Sequence, residues 1–418
     1  MTRSFARALP ALLLLALMMA SGNVAFGVFP VVQEGAKAEL GLSDVQLGLL
    51  QGLATSIPLA LVSIPFGLLV DKVHRVRLLA ATAMVWTAGT LLTAWAPDVA
   101  TLFAARVLAG LGANVSTTIA ISIVADLTMP AVRGRSLLLL TIGKFAGNAL
   151  AFALGGWLLG RYAGAGGWRA VHATLGIASA ALILPLLLLR EPARQEVAAG
   201  AGAPVRVVAA ELWARRAFLL PLFLGQTGAL MADAAAVVWA SPVLQRVYGV
   251  APAEFAGWMG GIVFLASIAG ALIGGVAADL GNRSARRGGL LVGAVVAAGV
   301  AVPAALFPIM PGTAGFGTAL GVLLFGGTIT GLVTATAIAV LLPNELRGLC
   351  IGAFIAFGGL IAFGLSPVLV TGTSRWLGGE GQLGNALALV GLIVSIMAVT
   401  GFFVAMRHAP ASVRDEPV

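Results

Sequence analysis

The chain has 418 residues, of which 60% are hydrophobic and 10% are charged, and its mean hydropathy is +1.03. This composition excludes a soluble globular protein, which needs more charged surface, and predicts an all-α membrane protein with several spans. The formal net charge of +9 does not indicate nucleic-acid binding, because the basic residues form short clusters between apolar runs. The single cysteine, Cys350, excludes an internal disulfide, and we expect it to be a buried thiol.

Twelve apolar segments are long enough to cross a bilayer, which takes about 20 helical residues. They do not alternate as barrel strands do, so they are predicted to be helices. The first segment could instead belong to a secretory signal, but its apolar stretch continues through Val32 and favours a retained helix. The segments lie at 9–32, 46–70, 77–96, 99–124, 136–160, 169–189, 217–244, 255–278, 288–309, 314–342, 349–373 and 383–406.

Lysine and arginine are unevenly distributed between the two sets of connections. One set carries most of them, whereas the opposite set carries Lys37, Arg161, Arg169, Arg246 and Arg375. By the positive-inside rule, this asymmetry places both termini in the cytoplasm, for a protein of the cell inner membrane. The long middle connection divides the chain into an N-terminal six-helix bundle at 1–190, a cytoplasmic linker at 191–216 and a C-terminal six-helix bundle at 217–418.

The two halves repeat a short pattern at the cytoplasmic end of a helix. A glycine is followed by an aspartate and then an arginine, each four residues after the previous one. The pattern comprises Gly67, Asp71 and Arg75 in the first half, and Gly275, Asp279 and Arg283 in the second. Duplicated halves are typical of secondary transporters.

These motifs make the chain resemble the major facilitator superfamily (MFS) over essentially its whole length. The family's loop motif, G-x-x-x-D-R/K-x-G-R-R/K, is matched at Gly67, Asp71, Lys72 and Arg75, although His74 and Val76 depart from it. The fourth-helix pattern, an arginine followed by G-x-G, is matched at Arg106, Gly110 and Gly112. The resemblance implies two pseudo-symmetric bundles of six transmembrane helices that rock about a midplane cavity.

A narrower resemblance is to the spinster-like branch, which is associated with lysolipid and sphingolipid-type amphipaths. It rests on "GLSDVQLGLLQG", "IPFGLLVDKVHR" and "ARVLAGLGAN". The first helix, with "SGNVAFG", lacks the acidic residue and the arginine usual in that branch. Ala113 and Asn114 follow the fourth-helix G-x-G, where the branch usually has glutamate. Any coupling carboxylate is therefore expected elsewhere in the chain.

Three charged residues, Arg106, Lys144 and Asp233, lie well inside the predicted spans. At about 1.5 Å per residue, each lies near the middle of the membrane. Such residues form a buried ion network or mark a substrate or ion pathway. The family resemblance places their helices around or beside the central cavity. With two cations and one anion there, we predict a substrate with a negative group and an apolar body, and Asp233 as the proton-coupling carboxylate.

Polar residues at helical spacing extend this candidate site. They occur one or two turns from the three charges and on the tenth predicted span. Each could instead form an interhelical hydrogen bond. The predicted substrate-binding residues are Arg106, Lys144, Asn148, Asn114, Gln226, Asp233, Thr330 and Thr334.

Charged residues at the cytoplasmic ends of the spans are either topology signals or a gate. Asp71 can accept hydrogen bonds from the start of a facing helix, and Arg75 can pair with Asp126. In the family, such contacts lock the two bundles while the site faces outward. The predicted cytoplasmic gate comprises Gly67, Asp71, Lys72, Arg75, Asp126, Asp279 and Arg283.

No G-x-x-x-x-G-K-S/T phosphate loop is present, and His74, His172 and His408 are far apart, so we expect no cofactor and no metal site. The sequence predicts a monomeric, bilayer-embedded secondary active transporter, coupled to protons, for an amphipathic organic anion or a lysolipid-like solute. A proton-driven multidrug exporter and a non-transporting solute sensor on the same fold are the alternatives. An enzyme is disfavoured, because no paired nucleophile and base is found.

Overall fold

A computed structural model describes residues 5–54, 56–57, 60–61, 69–70, 72–162, 164, 166–194, 205–284 and 286–410. In this part of the chain the regular elements are helices, which confirms the all-α prediction. The chain forms two compact units. The first comprises residues 1–198 and 249–264, and the second comprises residues 199–248 and 265–418.

The first unit has a core built from the inward faces of its long helices. Leu12, Leu15, Leu79, Trp86 and Ile119 are fully buried in one continuous cluster. The helices are α1 (Phe5–Gly27), α2 (Phe29–Leu40), α3 (Asp44–Gln51), α4 (Arg75–Trp95), α5 (Val99–Leu127), α6 (Pro130–Arg161), α7 (Gly167–Leu187) and the beginning of α10 (Pro252–Arg283).

The second unit is built around the close pair formed by its first long helix and its last. Gly225 and Gly228 lie against the backbone of the last helix at Ala398 and Val394, where a Cβ would collide. Such contacts between small residues are how membrane helices pack closely. The helices are α8 (Val205–Ala214), α9 (Arg216–Arg246), the remainder of α10, α11 (Val292–Ala304), α12 (Gly312–Leu341), α13 (Asn344–Gly359), α14 (Ser366–Trp376) and α15 (Leu383–His408).

Ten helices among the described residues are long and apolar enough to cross a membrane. The predicted second span, 46–70, lies largely outside the described residues. The predicted eleventh span, 349–373, corresponds to α13, a π-helical turn over Leu360–Leu365 and α14. Cys350 is buried in α13, as expected.

The first predicted span is interrupted rather than straight. α1 ends at Gly27 and α2 begins at Phe29, with Pro30 in the first turn of the new helix. Proline has no backbone N–H, so the Phe26 carbonyl loses the donor that residue 30 supplies in a regular α-helix. The break therefore leaves one main-chain acceptor to be satisfied by another part of the molecule.

Candidate functional site

Arg106 supplies the donor that the break in the first span requires. Its Nη2–H donates to the Phe26 carbonyl oxygen at 3.0 Å. The guanidinium carbon lies 5.0 Å from the ring centroid of Phe26 and 4.9 Å from that of Phe29. The residue is 1% exposed, and its Nε has no hydrogen-bond partner among the residues that the structure describes. This packing gives Arg106 a structural role that the sequence analysis did not consider, and its assignment to the substrate site stays a prediction.

Lys144 lies on α6, beside the seam between α6 and α1. Gly143 and Gly147 lie so close to the α1 backbone, at Ala16 and Ala20, that neither could carry a Cβ without collision. This glycine pair brings two membrane helices into close contact. The Lys144 side chain is exposed on the neighbouring face of α6. Lys144 therefore extends from a closely packed helix pair, on a face of α6 that the neighbouring described residues leave exposed.

The two predicted asparagines have different environments. Asn148 is half-buried on α6, one turn after Lys144. Asn114 is half-buried on α5, and its Nδ2–H donates to the Gly110 carbonyl at 2.8 Å. Asn114 thus satisfies a backbone group of its own helix, while Asn148 shares the lysine's face of α6.

In the second unit, two predicted site residues contact each other. The Thr334 hydroxyl on α12 donates to Gln226 Oε1 on α9 at 2.9 Å. Both side chains are buried. This contact is the interhelical hydrogen bond that the sequence analysis left open as an alternative, and the substrate-binding role of the pair stays a prediction.

Asp233 lies against a small cavity inside the second unit. The cavity measures about 10 Å³ and is lined by α9, α11, α12 and α15. Its polar side chains are Asp233, Thr330 and Ser395. Gly327 packs directly on the Asp233 carboxylate, so a Cβ at that position would collide with it. Within the part of the chain that the structure describes, Asp233 Oδ1 and Ser395 Oγ are buried without a hydrogen-bond partner.

The structure therefore brings together some of the predicted residues and leaves others in separate groups. Asp233 and Thr330 share a cavity, while Gln226 pairs with Thr334. Arg106 and Lys144 belong to the first unit and Asp233 to the second. The convergence of these three charges on one central cavity stays a prediction.

At the predicted cytoplasmic end of the first unit, Arg75 is the centre of a polar network. It is 2% exposed. The predicted ion pair with Asp126 is present, and Arg75 Nε donates to Glu191 Oε1 at 2.8 Å. Further hydrogen bonds reach the Ser122 carbonyl at 3.1 Å and the Pro192 carbonyl at 3.0 Å. The guanidinium thus joins the start of α4, the end of α5 and the segment that follows α7.

Glu191 is the member of this network that sequence reasoning missed, because it falls at the first position of the predicted linker. It also accepts the backbone N–H of Val76 at 2.8 Å. Burial raises the pKa of Glu191, but the hydrogen bonds from Val76 and Arg75 outweigh burial and hold that pKa below its usual value of 4.5. A glutamate two residues after a predicted span was the available signal.

Of the remaining predicted gate residues, those that the structure describes are Lys72, Asp279 and Arg283, and none of these three joins the network within the described residues. Gly67 and Asp71 lie outside the described residues. Lys72 is exposed in a turn before α4, and Asp279 and Arg283 are exposed near the end of α10. The gate function of the whole set stays a prediction.

Comparison with known proteins adds two local relatives. The chain is 32% identical over 142 residues to a "Multidrug resistance protein B homolog" from Mycobacterium tuberculosis, in strain H37Rv and likewise in strain CDC 1551. The match covers 34% of this chain and 24% of that relative, so the chain matches about a quarter of the relative's length.

Solved structures resemble the fold over almost the whole chain. A bacterial homolog to the human lysosomal transporter Spinster, in an inward-facing and unoccupied conformation, has a TM-score of 0.79 at 20% identity, covering 97% of this chain and 98% of that one. A D-xylose-proton symporter has a TM-score of 0.66 at 15% identity, with 94% and 97% covered. A nucleoside transporter has a TM-score of 0.72 at 13% identity, with 95% and 99% covered.

The family comparison covers most of the chain. The model of the Major Facilitator Superfamily matches residues 12–367. This range includes the loop motif, the fourth-helix arginine pattern and both copies of the repeated Gly, Asp and Arg pattern. With the apolar helices and the shared fold, it shows that the chain belongs to the Major Facilitator Superfamily and is a multi-pass membrane transporter rather than an enzyme.

Proposed function

We propose that this chain is a proton-coupled secondary active transporter that moves an amphipathic organic anion or a lysolipid-like solute across the inner membrane. Transport proceeds by rocker-switch alternating access between two six-helix bundles, from a monomer with both termini in the cytoplasm. The positive-inside distribution of lysine and arginine supports this orientation. Family membership supports transport of a small solute.

The observation that carries the substrate class is the position of Lys144 on a membrane helix, on a face that the described residues leave exposed. A lysine at the centre of a bilayer costs about 3 kcal/mol on insertion scales. The structure shows no ion pair for Lys144 among the residues that it describes. An anionic group of the substrate would offset that cost when it binds. The half-buried Asn148 amide on the same face would add a hydrogen bond.

Arg106 is a weaker candidate for this anion than Lys144. Its guanidinium is already stacked by two phenylalanines and hydrogen-bonded to the Phe26 carbonyl. Binding a carboxylate or phosphate there would disturb the break between α1 and α2. The proposal therefore assigns the anionic group of the substrate to Lys144 first.

Proton coupling is assigned to Asp233. Its carboxylate has a buried oxygen without a partner among the described residues, in a cavity lined otherwise by alanine, glycine, one leucine and two hydroxyl groups. An unpaired carboxylate oxygen can accept a proton or a hydrogen bond. A group that exchanges a proton as its surroundings change is what coupling to a proton gradient requires.

The second candidate function is a proton-driven multidrug exporter. The specific observation in its favour is the local similarity to the mycobacterial multidrug-resistance homolog. An exporter of cationic drugs would use the carboxylate of Asp233 and would not need the ammonium of Lys144. A solute sensor on the same fold would bind without net transport.

These functions are separated by transport in proteoliposomes that contain the purified chain. Three radiolabelled or fluorescent probes are compared, with and without a pH gradient: an oleoyl lysophosphatidylglycerol, an aromatic carboxylate and ethidium. We expect gradient-driven accumulation of an anionic probe. Lys144→Gln should abolish it, and Lys144→Arg should retain part of it. Accumulation of ethidium alone, insensitive to Lys144→Gln, would favour the exporter, and binding without accumulation would favour the sensor.

A further inference from the structure

The cavity beside Asp233 contains a second polar group that the sequence analysis did not identify. Ser395 on α15 is 2% exposed, and none of the described residues forms a hydrogen bond with its Oγ. It lines the same cavity as Asp233 and Thr330. Buried hydroxyl groups are normally hydrogen-bonded, since leaving one unpaired costs about 1–3 kcal/mol. Two unpaired oxygen atoms on one small cavity therefore indicate a missing bridging partner.

One water molecule matches the size and the polarity of this cavity. A cavity needs roughly 10–15 Å³ to hold a water that has two to four polar partners. The volume here is about 10 Å³, and three oxygen-bearing side chains line it. The Thr330 hydroxyl already donates to the Gly327 carbonyl at 2.9 Å, so Thr330 can only accept a hydrogen bond from the cavity.

We propose that Ser395 is a positioning residue for proton binding at Asp233, acting through one water shared with Thr330 in this cavity. The proposal rests on the proton-coupling role of Asp233 proposed above. Ser395 fixes the water, and the water fixes the hydrogen-bonding state of the carboxyl group. Asp233, Thr330 and Ser395 all belong to the second unit.

Each oxygen-bearing side chain that lines the cavity has a hydrogen-bond partner in both protonation states of the carboxyl group. When Asp233 is ionised, the Ser395 hydroxyl donates to the water, and the water donates to Asp233 Oδ1 and to Thr330 Oγ1. When a proton binds to Oδ1, the new O–H and the Ser395 hydroxyl both donate to the water, which donates to Thr330 Oγ1. The step forms one O–H bond on Asp233 and breaks one in the hydronium ion that delivers the proton, and the water reorients.

Nothing else that lines the cavity competes for the proton. The other lining residues from α9, α11, α12 and α15 are alanine, leucine and glycine. Asp233 is therefore the one titratable side chain among the described residues that line it. The four side-chain oxygens of Asp233, Thr330 and Ser395 and room for about one water also do not meet the six or more oxygen ligands of a cation such as Ca²⁺. The geometry thus favours a proton over a metal ion.

The test is an infrared titration of the purified protein in nanodiscs, which needs no knowledge of the substrate. The carbonyl band of a protonated carboxylic acid is followed from acid to alkaline pH, and Asp233→Asn identifies the component that belongs to Asp233. Ser395→Ala should shift the frequency of this component. It should also move its midpoint to higher pH by about half a unit or more, because the ionised form loses its hydrogen-bonded water. Ser395→Cys, whose thiol is a weaker donor than a hydroxyl, should give a frequency and a midpoint between those of the wild type and Ser395→Ala.

A matched control removes a hydroxyl from the same helix outside the cavity. Thr400→Val is suitable, because the Thr400 hydroxyl is exposed and donates to the Ile396 carbonyl of its own helix. This variant should leave the Asp233 component unchanged. All variants are compared by size-exclusion chromatography and thermal unfolding, so that a folding defect is recognised.

The outcomes separate this inference from the coupling role on which it rests. If Asp233→Asn removes the band component while Ser395→Ala and Ser395→Cys leave its frequency and midpoint unchanged, the role of Ser395 is refuted and the coupling role survives. If Asp233→Asn leaves every titrating component of the band unchanged, both the role of Ser395 and the coupling role of Asp233 are refuted. The titration is repeated with choline in place of sodium ions. A midpoint that depends on sodium would show a metal cation in the cavity and overturn the assignment to a proton.

Discussion

Arg106 and Phe26 are joined by a hydrogen bond that depends on a third residue, Pro30. The guanidinium of α5 donates to the Phe26 carbonyl at 3.0 Å because the proline at position 30 cannot. A buried arginine in a membrane helix first suggests a ligand or an ion pair. Here it completes the main-chain hydrogen bonding of a broken helix and is held between two aromatic rings.

The first prediction uses this dependence in a double-mutant cycle. Arg106→Ala leaves the Phe26 carbonyl unsatisfied and should destabilise the protein by about 1–3 kcal/mol. Pro30→Ala restores an N–H at position 30, so Arg106→Ala should cost at least about 0.5 kcal/mol less in that background. Thermal and denaturant unfolding in detergent measure both effects, with the exposed Arg283→Ala as a control. Strictly additive effects would contradict the capping role.

The second prediction separates a structural pair from a substrate site at Gln226 and Thr334. Thr334→Val removes the hydroxyl and leaves buried Gln226 Oε1 without a partner, which should cost about 1–3 kcal/mol of stability. Thr336→Val is the control, because Thr336 is half-buried on the same helix and its hydroxyl donates to the Leu332 carbonyl of that helix. A Thr334→Val protein with wild-type stability but reduced affinity for the transported probe would assign the pair to substrate binding instead.

The third prediction concerns the space beside the Asp233 carboxylate. Gly327→Ala places a methyl group where the carboxylate lies, so the aspartate must move, at a cost of about 1–3 kcal/mol. Gly331→Ala, one turn further along α12, meets only the Gln226 amide nitrogen at 3.7 Å, which is ordinary contact. Unfolding measurements should show a loss of stability for Gly327→Ala and little change for Gly331→Ala. Equal stability of both variants would show that Asp233 is not confined by Gly327.

The fourth prediction is a dependence of stability on pH that comes from Glu191. Because the folded-state pKa of Glu191 lies below 4.5, its carboxylate stabilises the fold at neutral pH, and this contribution is lost as the pH falls below about 4.5. Glu191→Gln should therefore be less stable than the wild type at pH 7, and the difference should shrink in acid. Glu254→Gln, at an exposed glutamate of α10, is the matched control. If Glu191→Gln lowers the stability by the same amount at pH 7 and at acid pH, the stabilising role of the Glu191 carboxylate is contradicted.

The membrane fold was predictable from sequence because the physical signals for it are local. A helix that crosses a bilayer must be long and apolar, so the spans can be predicted from the hydropathy along the sequence. The pairing of Arg75 with Asp126 could also be predicted, because the repeated Gly, Asp and Arg pattern indicates that Arg75 lies at the end of a helix. By contrast, Glu191 entered the network only in the structure, because its contacts with Arg75 and Val76 join residues far apart in the chain.

Some features of the candidate site follow from the local sequence, and others depend on contacts between distant helices. The sequence by itself determined that Arg106, Lys144 and Asp233 are charges inside apolar helices, since depth follows from position along a helix. Only the tertiary structure decided that Arg106 satisfies the Phe26 carbonyl, that Lys144 is exposed and that Ser395 shares a cavity with Asp233. The reason is that hydrogen-bond partners and close packing depend on which faces of distant helices meet, and no periodicity within one helix encodes that.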